Sequence, residues 1–321
     1  MRLPAFALSL LACIGLTACN STSGVVDLMQ TRSVQNTEAG APTPPDGIDA
    51  IAADGAVVGL AQEQAQDNAG MEMAALVAPD RETAGARALA GTIHRHKFRD
   101  AKPINFGKIS PQQFAVHGVD VSRWQGDINW AKLRSQGANF VFIKATDGGD
   151  HLDPMFKKNW RAADQAGLKR GAYHFFYWCR VASDQADWFI RNVPKVKGAL
   201  PPVIDVEWNG DSACKRRPSP AKVREKMQVF MDRLEAHYGQ RPIIYTAPDF
   251  YRDNLQGAFP DHPFWLRSVA AHPSKIYPNR KWVFWQYSGS GLSHGVDGRI
   301  DLNAFHGTEA QWHEWVARKA G

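Results

Sequence analysis

The sequence predicts an α/β fold, a reduced β/α barrel, on three observations. Eight strand-like apolar runs follow one another from Phe114 onward. Helical patterns separate the first five and then fade, and strands alternating with helices make a parallel sheet. Acidic residues stand at the ends of several strands, where barrels of this kind carry their chemistry.

Taken in order, the chain of 321 residues starts with Met1 to Ala18, a single Arg2 followed by an apolar run through Leu16. The run is too short to span a bilayer and reads as a secretory signal peptide, residues 1–18. It ends Leu16-Thr17-Ala18-Cys19, which resembles the lipobox of bacterial lipoproteins, with Cys19 the lipidated first residue of the mature chain. That resemblance implies a membrane anchor facing the periplasm or cell exterior, and Asn20 in place of Asp points to the outer membrane rather than the inner. Residues 20 to about 92 are rich in Ala, Gly, Thr, Ser, Gln and Pro and hold no Trp, Tyr or Phe. Such a stretch buries too little apolar surface to offset its ordering entropy. Residues 19–112 are therefore expected to form a lipid-anchored, disordered linker and 113–321 the barrel. Within the linker, Ala56 to Ala78 carries a marginal helical pattern around Leu60, Met71, Met73 and Leu76, and His94 to Lys102 is locally basic.

All eleven Trp lie between Trp124 and the C-terminus. The expected strands are Phe114–Ser122, Ala138–Ala145, Lys169–Phe176, Pro202–Glu207, Pro242–Thr246, Pro263–Arg267, Trp282–Tyr287 and Arg299–Leu302. The expected helices are Trp130–Gln136, Pro154–Ala166, Val181–Val193, Pro220–Tyr238 and a short piece over Pro248–Leu255. Pro154 and Pro220 suit first-turn positions, while Gly137, Gly167 and Gly239 suit C-terminal caps. Cys13 leaves with the signal and Cys19 takes lipid, so Cys179 and Cys214 form an even pair in an oxidising compartment, without the CxxC spacing of a metal site. They follow the third and fourth strands, neighbours in a barrel, and a disulfide is expected. The net charge of +6 fits an anionic partner such as a wall polymer. There is no motif for nucleic acid, phosphate or metal, and no cofactor is expected.

The chemistry is sharpest at Pro202-Val203-Ile204-Asp205-Val206-Glu207. Strand side chains alternate faces, so Asp205 and Glu207 point the same way. Two acids in one poorly solvated place cannot both ionise freely, and a protonated acid beside an ionised one is what glycosidic-bond cleavage requires. The alternative is a strand end with two acids facing water. Barrel closure adds neighbours: Asp120 ends the first strand, Asp147 the second and Asp301 the eighth, and the eighth strand adjoins the first.

These residues resemble glycoside hydrolase family 25 lysozymes. His117-Gly118-Val119-Asp120-Val121-Ser122, Gln125-Gly126, Ile128-Asn129-Trp130 and Phe142-Ile143-Lys144-Ala145-Thr146 match the family's opening. Asp153-Pro154, Asn159-Trp160, Gly171-Ala172-Tyr173-His174-Phe175, the Asp205–Glu207 strand, Ile244-Tyr245-Thr246, Trp285-Gln286-Tyr287 and Asp301-Leu302-Asn303 continue it in order, so the likeness runs from about His117 to Phe305. The resemblance implies a modified TIM-like (β/α)5(β)3 barrel and cleavage of the β-1,4 bond between N-acetylmuramic acid and N-acetylglucosamine in peptidoglycan. It implies Glu207 as general acid, Asp205 as assisting carboxylate, Asp120 and Asp301 as further site acids, and Tyr245 as a sugar-binding tyrosine.

Two departures stand out. The family usually has Glu where Asp147 stands, and Phe264-Trp265-Leu266-Arg267-Ser268 replaces a usual Trp-x-Ala-x-Tyr pattern on the sixth strand. Trp124, Trp178, Trp208 and Trp265 either stack on sugars or pack in the core and rim. Lys144 either neutralises carboxylates or pairs with one, and His174 is expected to hydrogen-bond within the barrel mouth. Asp205 either orients the substrate's own 2-acetamido group as nucleophile, which we favour, or an acid activates water. Three functions fit: a lipid-anchored muramidase for wall remodelling, a weakened barrel that binds peptidoglycan as an envelope scaffold, or a hydrolase of chitin-like polymers. A tethered wall enzyme also suits secretion or appendage machinery as a partner.

Overall fold

Eight strands close into a barrel, and the order of their pairing places every candidate acid. The structure is a computed structural model that describes residues 91–210 and 212–319 together with Glu72, Met73 and Leu76. All of these belong to one compact unit, Gln35–Gly321. The expected signal peptide, Cys19 and most of the expected linker lie outside the described residues.

The strands are β1 (Arg99–Asp100), β2 (His117–Val121), β3 (Phe140–Asp147), β4 (His151–Leu152), β5 (Lys169–Phe175), β6 (Val203–Val206), β7 (Ile243–Thr246), β8 (Phe264–Arg267), β9 (Phe284–Leu292) and β10 (Ile300–Phe305). The helices are α1 (Trp130–Ser135), α2 (Phe156–Gln165), α3 (Ala182–Asn192), α4 (Pro220–Tyr238), α5 (Pro248–Asn254), α6 (Pro273–Ile276) and α7 (Glu309–Lys319). Around the barrel the order is β2-β3-β5-β6-β7-β8-β9-β10 and back to β2, while β1 lies against β9 and β4 against β3. Five strands are each followed by a helix, α1 to α5, and three strands complete the ring. This is the expected modified TIM-like (β/α)5(β)3 barrel.

Two apolar layers hold it. Outside, helices α2 to α4 press Phe156, Trp160, Phe189, Met227 and Phe230 onto the strands. Inside, Phe140, Phe142, Trp265 and Phe284 fill the barrel, with Phe142 stacked on Trp265 at 4.7 Å between ring centroids. Trp312 and Trp315 of α7 cap the same cluster, Trp312 lying 5.4 Å from Phe140. The barrel therefore has an aromatic floor and opens only at the C-terminal ends of its parallel strands.

The structure corrects four expectations. The eighth barrel strand, β10, is antiparallel to both neighbours, so Asp301 lies near its start and not its end. Pro154 does not open a helix, since α2 begins at Phe156 after Met155, whereas Pro220 does open α4 and Gly239 ends it in the left-handed conformation at φ 71°. Helices α6 and α7 were not legible as elements. Finally, the linker does not extend to residue 112. The Lys97 amide donates to the Gln136 carbonyl (2.7 Å), Arg99–Asp100 pair with Gly291–Leu292, and Phe98 and Phe106 pack on the core. Leu76 is buried too, and Glu72 pairs with Lys157.

Asn139 fastens this strap across the closed end. Its Oδ1 accepts from the His94 amide (2.8 Å) and from Arg134 (2.6 Å), and its Nδ2 donates to the His94 carbonyl (2.9 Å). Gly137 is obligatory beneath it, because a Cβ there would fall 2.2 Å from the His96 Cα. Asn139→Ala is expected to cost about 2–3 kcal/mol by leaving several buried groups unpaired. Urea denaturation would measure it; an unchanged midpoint would show that the strap contributes nothing to the fold.

Candidate active site

The mouth of the barrel is a ring of side chains one layer above the aromatic floor. Asp120, near the end of β2, and Asp301, near the start of β10, are direct cross-strand partners, so their side chains leave the same face of the sheet. Across the ring Asp205 on β6 and Glu207 just beyond it share the inward face, and Asp205 is register partner to Tyr245 of β7. Four of the candidate acids, which sequence placed on three separated segments, thus form two carboxyl pairs in one cleft.

Burial governs their charge. Desolvation is the first cause in all four and pushes every carboxyl up, Asp120 to about 6 from an ordinary 3.8. Within each pair one carboxyl hydrogen-bonds to the other. This bond raises Asp301 and lowers Asp120, and it raises Asp205 and lowers Glu207. The hydrogen bond within each pair is a place for one shared proton. Each pair keeps one proton where isolated carboxyls would have lost theirs.

Neutral donors complete the Asp120 side. Gln286 Nε2 and Asn303 Nδ2 donate to Asp120 Oδ2 at 2.9 and 2.7 Å. The Tyr245 hydroxyl donates to Gln286 Oε1 (2.8 Å), and Trp265 Nε1 donates to Asn303 Oδ1 (2.7 Å). This chain runs from floor to carboxylate and fixes which lone pairs face the cleft. Asp147 ends β3 and holds the Lys144 ammonium at 2.7 Å, so the shorter acid still reaches a partner at the mouth. Among the described residues no group of three metal-ligating side chains occurs.

The rim behind Glu207 is braced from two loops. Trp178 Nε1 donates to the Glu207 carbonyl (2.7 Å), and its ring stacks on Phe250 at 4.9 Å. A disulfide joins Cys179 to Cys214 and ties the loop after β5 to the loop after β6. Of the four tryptophans, Trp178 and Trp265 are fully buried and serve packing. Trp124 stands 51% exposed at the mouth with Arg123 over its ring, and Trp208 lies at the rim under Arg217.

His174 is corrected. It points away from the mouth into the helix layer, bonded to Thr146 (2.7 Å) and Gln185 (3.1 Å) and stacked on Phe230. Burial lowers it to about 4, so it is neutral and structural. Gln286, Asn303 and Arg267 were missed as site residues, although period-two alternation from Asp301 and Trp265 points to the last two.

The family described as glycosyl hydrolases family 25 matches residues 119–296. The uncharacterized protein YegX of Escherichia coli O157:H7 is 37% identical over 232 residues, covering 70% of this chain and 81% of that protein. Lysozyme M1 of Streptomyces globisporus is 36% identical over 207 residues, covering 61% of this chain and 69% of that protein. A solved family 25 glycosyl hydrolase from Bacillus anthracis superposes with a TM-score of 0.61 at 38% identity, covering 67% of this chain and 99% of that one.

Asp205 Oδ1 is buried without a hydrogen-bond partner among the described residues, so its ionised form costs the fold stability. Below its unfolded value near 3.8 both states are protonated and the cost is absent. As pH rises toward the folded value the unfolded chain ionises first and stability is lost. Asp205→Asn is expected to leave stability near pH 2.5 unchanged and to raise it at pH 8 by about 0.5–2 kcal/mol. Calorimetry at the two pH values tests this, and equal effects at both would remove burial as the cause.

Proposed function

The chain belongs to glycosyl hydrolases family 25, and on that premise we propose a lipid-anchored muramidase that remodels the cell wall. The observation that carries the reading is the pair of hydrogen-bonded carboxyl groups at the mouth of the barrel, Asp205 buried and Glu207 half-buried, both held above their ordinary values. The substrate is peptidoglycan, cut at the β-1,4 bond between N-acetylmuramic acid and N-acetylglucosamine, and the name of Lysozyme M1 agrees with that activity. The Cys179–Cys214 disulfide fits an oxidising, extracytoplasmic compartment. Anchoring through Cys19 in the outer membrane follows from the lipobox resemblance, with residues 1–18 as the signal and secretion or appendage machinery as a suitable partner.

The scaffold alternative drew its support from Asp147, and that residue keeps a charged partner at the mouth. All four other acids stand in the cleft, which favours catalysis over binding alone.

Glu207 acts as general acid, giving its proton to the leaving glycosidic oxygen as positive charge grows at the anomeric carbon. Asp205 holds the substrate's 2-acetamido group so that its oxygen attacks that carbon from the opposite face. A same-strand neighbour of the acid is poorly placed to attack from there itself. The two carboxyls share a hydrogen bond, and substrate binding settles the shared proton on Glu207. That arrangement readies both groups, with Asp205 ionised toward the acetamido N–H and Glu207 protonated toward the leaving oxygen.

Digestion of purified peptidoglycan is expected to release new muramic acid reducing ends. Glu207→Gln should lower turnover by about 10²–10⁴-fold, the usual contribution of a general acid. Glucosamine ends would change the bond assigned, and unchanged hydrolysis by the Gln variant would remove Glu207 as acid. A covalent glycosyl-enzyme on Asp205, or an inverted product, would exclude acetamido assistance.

A further inference from the structure

Charge alternates around the mouth. The Asp120–Asp301 pair from β2 and β10 is followed by Lys144 on β3, then by the Asp205–Glu207 pair on β6, then by Arg267 on β8. Lys144 is engaged with Asp147 at 2.7 Å. Arg267 lies in the segment that departs from the usual Trp-x-Ala-x-Tyr pattern, and nothing has yet been assigned to it.

Its orientation is set by the strand. Trp265 faces the barrel interior, where it stacks on Phe142 and bonds Asn303. Arg267 is two residues on, hence on the same face and one layer higher. It is only 7% exposed. Its backbone is held by the Tyr277 hydroxyl, which donates to the Arg267 carbonyl at 2.5 Å. Its register partner is Gln286, the residue that donates to Asp120. The titratable groups whose charge acts on the guanidinium are Tyr245 of β7, Glu207 beyond β6, Asp301 of β10, Asp120 of β2 and Tyr277 after α6. Glu207 in turn faces Asp205, Asp120, Arg267 and Asp249 of α5, as well as Tyr245, Tyr277 and Asp301. Arg267 is the one cation in that set, and its charge favours ionised Glu207.

We propose that Arg267 is a positioning residue of the active site, a cation between the two carboxyl pairs whose charge allows one carboxylate of each pair to stay ionised in a mouth shielded from water. In the ring β8 stands two strands from β6, which leads to Glu207, and two strands from β10, which carries Asp301. An uncharged residue there leaves the carboxyl pairs with Lys144 as the nearest compensation, on the far arc of the ring. The consequence is directional: with Arg267 in place Glu207 releases its proton at lower pH than burial alone would allow. The alkaline limit of activity is then set in part by β8. This inference deepens the muramidase reading, and its activity arm rests on that reading.

The test uses Arg267→Gln and Arg267→Lys in the full chain, with folding checked by circular dichroism. The first readout needs no turnover. Carboxyl ¹³C resonances of ¹³C-glutamate-labelled protein, with Glu207 identified by its loss in Glu207→Gln, are followed against pH. The Glu207 midpoint is expected to rise by about one unit in Arg267→Gln, the usual size of a nearby-charge effect, and to return most of the way in Arg267→Lys. The second readout is the pH profile of kcat/KM on peptidoglycan, whose alkaline limb should move with the resonance. A midpoint that stays, falls, or responds equally to Gln and Lys overturns the role of Arg267. A midpoint that moves while the wild-type protein cuts no peptidoglycan supports the charge balance and overturns the hydrolase reading instead.

Discussion

Four carboxyl groups in one ring, Asp120 and Asp205 buried and Asp301 and Glu207 half-buried, are a standing electrostatic problem, and the rest of the structure is arranged around it. In a medium poorer than water at screening charge, like charges at close range repel strongly and each ion also loses its hydration. The barrel meets this in two ways. Within each pair the carboxyls share a hydrogen bond and burial pushes both up, which disfavours two charges on either pair. Between the pairs stand Lys144 and Arg267, one on each arc of the ring. The neutral donors Gln286 and Asn303 then take up the remaining charge on Asp120.

Such an arrangement needs a backbone that cannot relax away from it. The floor supplies the stiffness, because Phe142, Trp265, Tyr245 and Phe284 interlock beneath the acids and Trp312 and Trp315 fill the closed end. The last strand supplies the pairing. By running antiparallel, β10 enters at the mouth and descends to the floor, so Asp301 meets Asp120 at the top while Phe305 joins the aromatic cluster at the bottom. One short strand thus contributes an acid, an amide donor and a floor residue at successive inward positions. The disulfide and the indole of Trp178 hold the Glu207 side in the same spirit.

Much of this was legible in the sequence. Strand alternation put Asp205 and Glu207 on one face, and barrel closure made Asp120 and Asp301 neighbours. Both hold, although Asp301 gets there by a reversed strand. Strand direction was illegible because period-two alternation is identical in either sense; only connection length distinguishes them. The strap at His94 to Asp100 was hidden for a related reason. Its contacts are mostly backbone hydrogen bonds to the Gln136–Asn139 turn, and a backbone donor leaves no mark on composition. Helix α7 spends its apolar residues, Trp312, Trp315 and Val316, on capping a barrel, too few for a clear helical stripe. His174 was misplaced because neighbouring strand positions face opposite sides, and Tyr173 took the inward one.

The same balance bears on how the cleft becomes reactive. Arg267 favours the ionised form of Glu207, whereas the general-acid role proposed for Glu207 needs its protonated form. A sugar entering the cleft changes both sides of that equilibrium. Its acetamido N–H offers Asp205 the hydrogen bond that Oδ1 lacks in the free cleft, which favours ionised Asp205. Its leaving oxygen offers Glu207 an acceptor, which favours protonated Glu207. Since the two carboxyls share one proton, these effects add rather than compete, and the proton moves only when both ends of the substrate group are in place. On the proposed mechanism the charge pattern therefore works as a selection step, with the acid assembled by the substrate whose cleavage it serves.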